Sequence, residues 1–119
     1  MSKNNYRAWN GEKLIYSLLI NFDGDDVTWL DGDLDGKDYH DWKEEGLMQY
    51  VDKQDINGDE ICEGDIIKGS TYLGPVVFQD SSFGLRHLDF FIPFTDMEGL
   101  VFTILGNLYE IEDIEGIKI

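Results

Sequence analysis

The sequence has one cysteine, two prolines, nine basic residues and no long apolar run, and each scarcity removes a class of protein. A single thiol, Cys62, excludes an intrachain disulfide and a thiolate metal cluster within one chain, which suits a reducing compartment. Nine Lys and Arg against twenty-five Asp and Glu leave a formal net charge of −16. Duplex nucleic acid and anionic lipid both need a basic surface, so neither is an expected partner. The longest apolar-rich run, Leu14 to Ile20, falls far short of the roughly 20 residues of a membrane-spanning helix. The start, Met1 to Trp9, is polar and has no secretory apolar stretch, so the expected location is the cytoplasm.

What is present points to a folded β protein. A hydrophobic fraction of 42% with 13% aromatics is ordinary for a packed domain, whereas a disordered acidic chain would be poor in both. Thirteen glycines suit short strands and tight turns better than helices, where each interior glycine costs about 1 kcal/mol. With 119 residues, two independent cores would both be marginal, and one cooperative unit is expected.

Along the chain, Tyr6 to Trp9 and Leu14 to Phe22 read as strands separated by Asn10-Gly11, a hairpin signal. The turn Asp23-Gly24-Asp25-Asp26 leads into a third strand, Val27 to Leu30, so the opening reads as a three-strand meander. Asp31 to Glu45 is rich in carboxylates and reads as an exposed acidic loop, in which Tyr39 and Trp42 have the spacing of a short helical turn. Leu47 to Val51 follows as a strand. Asn57-Gly58 and Glu63-Gly64-Asp65 mark bends before Ile66-Ile67-Lys68. Val76 to Gln79, Phe83 to Leu88 and Leu100 to Leu105 read as further strands, with Asp80-Ser81-Ser82 as a hairpin turn and Asp96 to Gly99 as a longer connection. Asn107 to Ile114 reads as a strand end or one helical turn. The acidic loop separates an N-terminal β lobe, residues 1–46, from a C-terminal part, residues 47–119.

The run Gln49-Tyr50-Val51-Asp52-Lys53-Gln54-Asp55-Ile56-Asn57-Gly58-Asp59-Glu60-Ile61-Cys62-Glu63-Gly64-Asp65-Ile66-Ile67 resembles, without a gap, the central signature of the YopX family of phage and prophage proteins, roughly QYTGLKDKNGKEIYEGDIV. Tyr6-Arg7-Ala8-Trp9 is similar to the family's opening FRAW, and Ile104-Leu105-Gly106-Asn107-Leu108-Tyr109-Glu110 to its closing VIGNIYE. Asp52 stands where the family usually has glycine, Cys62 where it has tyrosine, and Ile111 onward lacks the usual Asn-Pro-Glu ending. The resemblance implies a mainly β fold with little helix. Its C-terminal half would be a small Src-homology-3-like β-barrel, or roll, preceded by an N-terminal hairpin or meander lobe. It also implies a homo-oligomer from phages of Gram-positive bacteria, hence the bacterial host cytoplasm, and carries no assigned activity. The shared residues are glycines, aromatics and aliphatics, the chemistry of turns and core rather than of an active site.

The candidate chemistry is thin. Asp31-x-Asp33-x-Asp35-Gly36 reproduces the first half of a calcium loop, but Trp42 occupies the twelfth position, where a bidentate glutamate belongs. Asp31, Asp33 and Asp35 are therefore weak metal candidates beside the plainer reading of a solvated acidic loop. Asp55-x-Asn57-x-Asp59 repeats the spacing, yet Asn57-Gly58 is explained by a turn and Glu60 stands where the glycine belongs. His40 and His87 are isolated, and Cys62 has no basic neighbour to activate it. No catalytic set and no cofactor loop is recognisable. Tyr72, Phe78, Phe83, Phe90, Phe91, Phe94 and Phe102 give a small barrel the aromatics for stacking single-stranded bases, but only Lys68, Arg86 and His87 accompany them, so core packing and subunit contacts are expected instead. Phe90-Phe91-Ile92-Pro93-Phe94 is too apolar for a surface loop, and part of it is expected to be buried between subunits. The expected function is that of a noncatalytic phage or prophage accessory protein, an oligomeric protein-interaction module. The alternatives are an acidic nucleic-acid mimic occupying a basic host or phage protein, and a weak calcium-binding module.

Overall fold

Short runs of branched and aromatic residues become strands wherever a turn residue closes them, and almost no segment is long enough to do anything else. The computed structural model describes residues 5–32 and 42–110, and among these it holds eleven β-strands and a single 3-10 turn. The chain divides into two units, Met1–Gln49 and Tyr50–Ile119.

The first unit contains β1 (Tyr6–Trp9), β2 (Leu14–Ile15), β3 (Leu18–Asp23), β4 (Asp26–Asp31) and the start of β5 (Leu47–Gln54). β1 pairs antiparallel with β2, Ala8 opposite Ile15, and with β5, Arg7 opposite Met48. The link from β1 to β2 is longer than the two-residue turn expected at Asn10-Gly11. The Asn10 side chain accepts the amides of Glu12 and Lys13 at 2.8 and 2.9 Å, bending a four-residue loop. The expected strand Leu14 to Phe22 breaks at Tyr16-Ser17, where the Ser17 carbonyl accepts the Gly32 amide at 2.7 Å. The expected meander is therefore two separate pairs, β1 with β2 and β3 with β4.

Trp29 on β4 centres this unit. It is fully buried with Ala8 and Ile15, and Leu18, Ile20 and Leu47 pack around them. Its indole N–H donates to the Glu45 carbonyl at 2.7 Å, and its backbone exchanges two hydrogen bonds with Lys43, so its polar atoms are satisfied where its ring is buried.

The second unit holds the rest of β5, then β6 (Glu60–Cys62), β7 (Asp65–Lys68), β8 (Leu73–Gln79), β9 (Ser82–His87), β10 (Phe90–Pro93) and β11 (Thr103–Asn107). Five of these form one antiparallel sheet in the order β10-β9-β8-β7-β11, curled into a half-barrel that fits the small-barrel expectation. β6 pairs with β5, Tyr50 opposite Cys62 and Gln54 opposite Glu60, with a register shift between. Inside that shift Asp52 adopts φ 61, at the position where the resembling family carries glycine.

The β8–β9 turn is Asp80-Ser81 alone, both at positive φ, 53 and 64, as a two-residue type I′ hairpin requires; Ser82 already belongs to β9. Strand alternation sends Val76, Leu85 and Ile67 inward onto Ile61, Phe94, Met97 and Phe102, and this is the core of the unit. Phe94 and Met97 reach it from the 3-10 turn Phe94–Met97, where the sequence suggests only a connection.

The apolar run 90–94 divides accordingly. Phe90 and Ile92 lie opposite His87 and Leu85, Phe91 covers Gly84, and Phe94 enters the core. β10 and β11 are the outermost strands. Just before β11 the Phe102 carbonyl accepts the Ile56 amide at 2.8 Å, and the Ile104 amide on β11 donates to Asp55, so residues 55–56 lie beside its start.

Candidate functional site

The residues of the central signature converge on backbone atoms. Asp55, only 7% exposed, accepts the amides of Asn57 and Asp59 on Oδ1, both at 2.9 Å, and the amide of Ile104 on Oδ2 at 3.2 Å. Burial alone raises the carboxyl pKa. The amides of Asp59, Ile104 and Asn57 outweigh it, and the group is held below its ordinary value of 3.8. The Asp55-x-Asn57-x-Asp59 spacing thus serves an Asx-type turn, with Gly58 at φ 85 completing it. Both oxygens of the carboxylate are engaged by amides, a poor start for a cation ligand.

Glu63-Gly64-Asp65 is a second knot of the same kind. Asp65, 2% exposed, accepts the Cys62 amide at 2.8 Å across the bend that Gly64 makes at φ 88. Gly64 also donates its amide to the Val76 carbonyl and accepts the Leu108 amide on its own carbonyl, so one glycine ties β8 to the end of β11. The closing motif supplies a third knot. Asn107, 3% exposed, accepts the amides of Tyr109 and Glu110 on Oδ1, and its Nδ2 donates to the Glu110 carboxylate. Gly106 follows directly on the β11 irregularity and lies opposite Ile66. Buried polar side chains here spend their hydrogen bonds on main-chain groups that would otherwise lie unsatisfied.

The other sequence candidates are scattered. Asp31 ends β4, while Asp33, Asp35, His40 and Tyr39 lie outside the described residues, as do Ile111 to Ile114. Among the described residues no group of three His, Cys, Asp or Glu side chains could hold a metal ion. His87 Nδ1 sits 3.1 Å from the Leu73 amide, and its ring packs edge-on against Tyr72 at 5.5 Å. Cys62 is a buried thiol outside any disulfide. No helix among the described residues is long and apolar enough to cross a membrane.

The second unit also leaves several large apolar side chains exposed. Leu88 and Phe90, at the β9–β10 turn, are 74% and 68% exposed, and Ile56, Val101, Leu105 and Phe78 are also uncovered. Leu88 holds φ 55, a left-handed conformation that is strained for a leucine. The sequence marks Phe90 as apolar but offers no sign of Leu88, because its conformation is set by the length of the turn.

No curated protein and no solved structure matches the chain significantly. A family model described as YopX protein matches residues 5–112, nearly all of the chain and every motif that builds the three knots. The chain belongs to the YopX family.

Proposed function

We propose that this protein is a noncatalytic phage or prophage accessory protein, an oligomeric module of the host cytoplasm that works by binding a partner macromolecule. The observation that supports it most is the pair Leu88 and Phe90, large apolar side chains held in water at one turn. Single exposed apolar residues are commonplace, but here the backbone also accepts strain at Leu88 to place one. The signature side chains, by contrast, are occupied in holding main-chain atoms, which leaves little reactive chemistry to a substrate. Contact between copies through the β9–β10 turn accounts for both facts.

Light scattering tests the reading. At micromolar concentration the expected mass is a multiple of 13.7 kDa, and Phe90→Ser lowers it without unfolding the chain. A monomer at that concentration opposes it.

A further inference from the structure

In the first unit an apolar stripe runs on past the core that covers it. The β3–β4 register sets Ile20 opposite Trp29 and Phe22 opposite Val27, so these four side chains share one face of the hairpin. Ile20 and Trp29 are packed with Ala8 and Ile15. Two residues further out Phe22 is 62% exposed, with the Tyr6 ring 6.3 Å away and Val27 half-buried beside it. Asp23, Asp25 and Asp26 surround this outer end, all exposed. From Leu14 to Gly32 the sequence holds four carboxylates and no Lys, Arg or His.

We propose that the outer half of this hairpin, Asn21 to Thr28, docks a cationic peptide segment that carries apolar side chains, a lysine- or arginine-rich strand or loop of another protein. The inference rests on the partner-binding part of the reading above and names the surface and the chemistry of the partner. Charge selects the occupant. The same hairpin of a second copy brings the same three carboxylates and no cation, and like charges set side by side oppose that pairing. Nucleic acid and anionic lipid are repelled for the same reason. An acidic surface that only keeps the protein soluble has no use for an exposed phenylalanine at its centre, whereas an apolar anchor ringed by charge is the usual build of a recognition patch.

The test is a titration of isotope-labelled protein with two synthetic peptides of equal length and charge, one alternating Lys with Leu and one alternating Lys with Ser. The Lys–Leu peptide is expected to shift the amides of residues 21–28 first and to bind more tightly than the Lys–Ser peptide. Phe22→Ala weakens it roughly tenfold, as loss of a central aromatic anchor does. The triple variant Asp23→Asn, Asp25→Asn, Asp26→Asn weakens it as well and flattens its salt dependence, because screened surface charge is what it removes. All four side chains are exposed, and each variant is first checked for native amide dispersion.

Equal affinity of Phe22→Ala and the parent protein overturns the proposal in favour of charge alone. Shifts centred away from the hairpin overturn it while leaving partner binding intact. Loss of self-association in Phe22→Ala overturns it in favour of a second copy. A protein that scatters as a monomer and still binds the Lys–Leu peptide at 21–28 supports it and removes only the oligomer.

Discussion

The Asp55 carboxylate accepts a hydrogen bond from the Ile104 amide, forty-nine residues further along the chain. The same group turns the loop at Asn57 to Asp59, so one side chain closes a local bend and anchors it to β11. Its pKa lies below 3.8 in the folded protein, against amides that favour the charged form. The unfolded chain therefore takes up the proton first on acidification. Stability from this site is fully present above the unfolded value and is lost as pH falls through the folded one. Asp55→Asn keeps an oxygen for Asn57 and Asp59 but turns an N–H toward the Ile104 amide. Urea titrations between about pH 5 and pH 2 are expected to show lower stability at the upper end and a flatter acid limb. An unchanged slope would remove Asp55 from the account.

Asp52 is expected to be better as glycine. At φ 61 an aspartate carries left-handed strain that glycine does not, and Asp52→Gly is expected to raise unfolding free energy by about 0.5–1 kcal/mol. The exposed side chain sacrifices no core packing. A denaturant midpoint that falls would show that the carboxylate has a structural partner of its own.

Gly74 and Gly84 are held by space rather than by φ. A Cβ on Gly74 would overlap the Arg86 carbonyl oxygen, and one on Gly84 would overlap the Ile92 carbonyl and stand 2.7 Å from Cε1 of Phe91. Neither backbone oxygen can step aside without moving a strand. Gly74→Ala and Gly84→Ala are each expected to cost about 1–3 kcal/mol, the usual range for overpacking. Thermal melts that match the parent would mean the sheet opens more readily than its register suggests.

Leu88 separates stability from association. Leu88→Asn relieves left-handed strain, since asparagine tolerates φ 55, and is expected to stabilise the fold by about 1 kcal/mol. In light scattering the same substitution is expected to weaken self-association. Gain of both stability and assembly would place the contact between copies elsewhere.

Turns were legible because few residues can make them: Asn57-Gly58 and Glu63-Gly64-Asp65 bend the chain where the sequence says they should. β6 was not, because Glu60-Ile61-Cys62 is too short to show alternation. β10 escaped for a different reason. Phe90 and Ile92 share one face, Phe91 covers Gly84 on the other, and a strand apolar on both faces has no period to detect. The role of Asp55 was hidden by its spacing to Asn57 and Asp59, which suggests converging carboxylates. Those two residues contribute main-chain amides, and the decisive partner, Ile104, lies beyond any local window.

The proline that closes β10 also limits what the five-stranded sheet can become. Pro93 has no N–H to give a sixth strand, and at the opposite border the Phe102 carbonyl and Ile104 amide are already taken by Ile56 and Asp55. Both margins of the sheet thus resist templated growth into a fibril, a useful property for a chain that keeps bare phenylalanine in water.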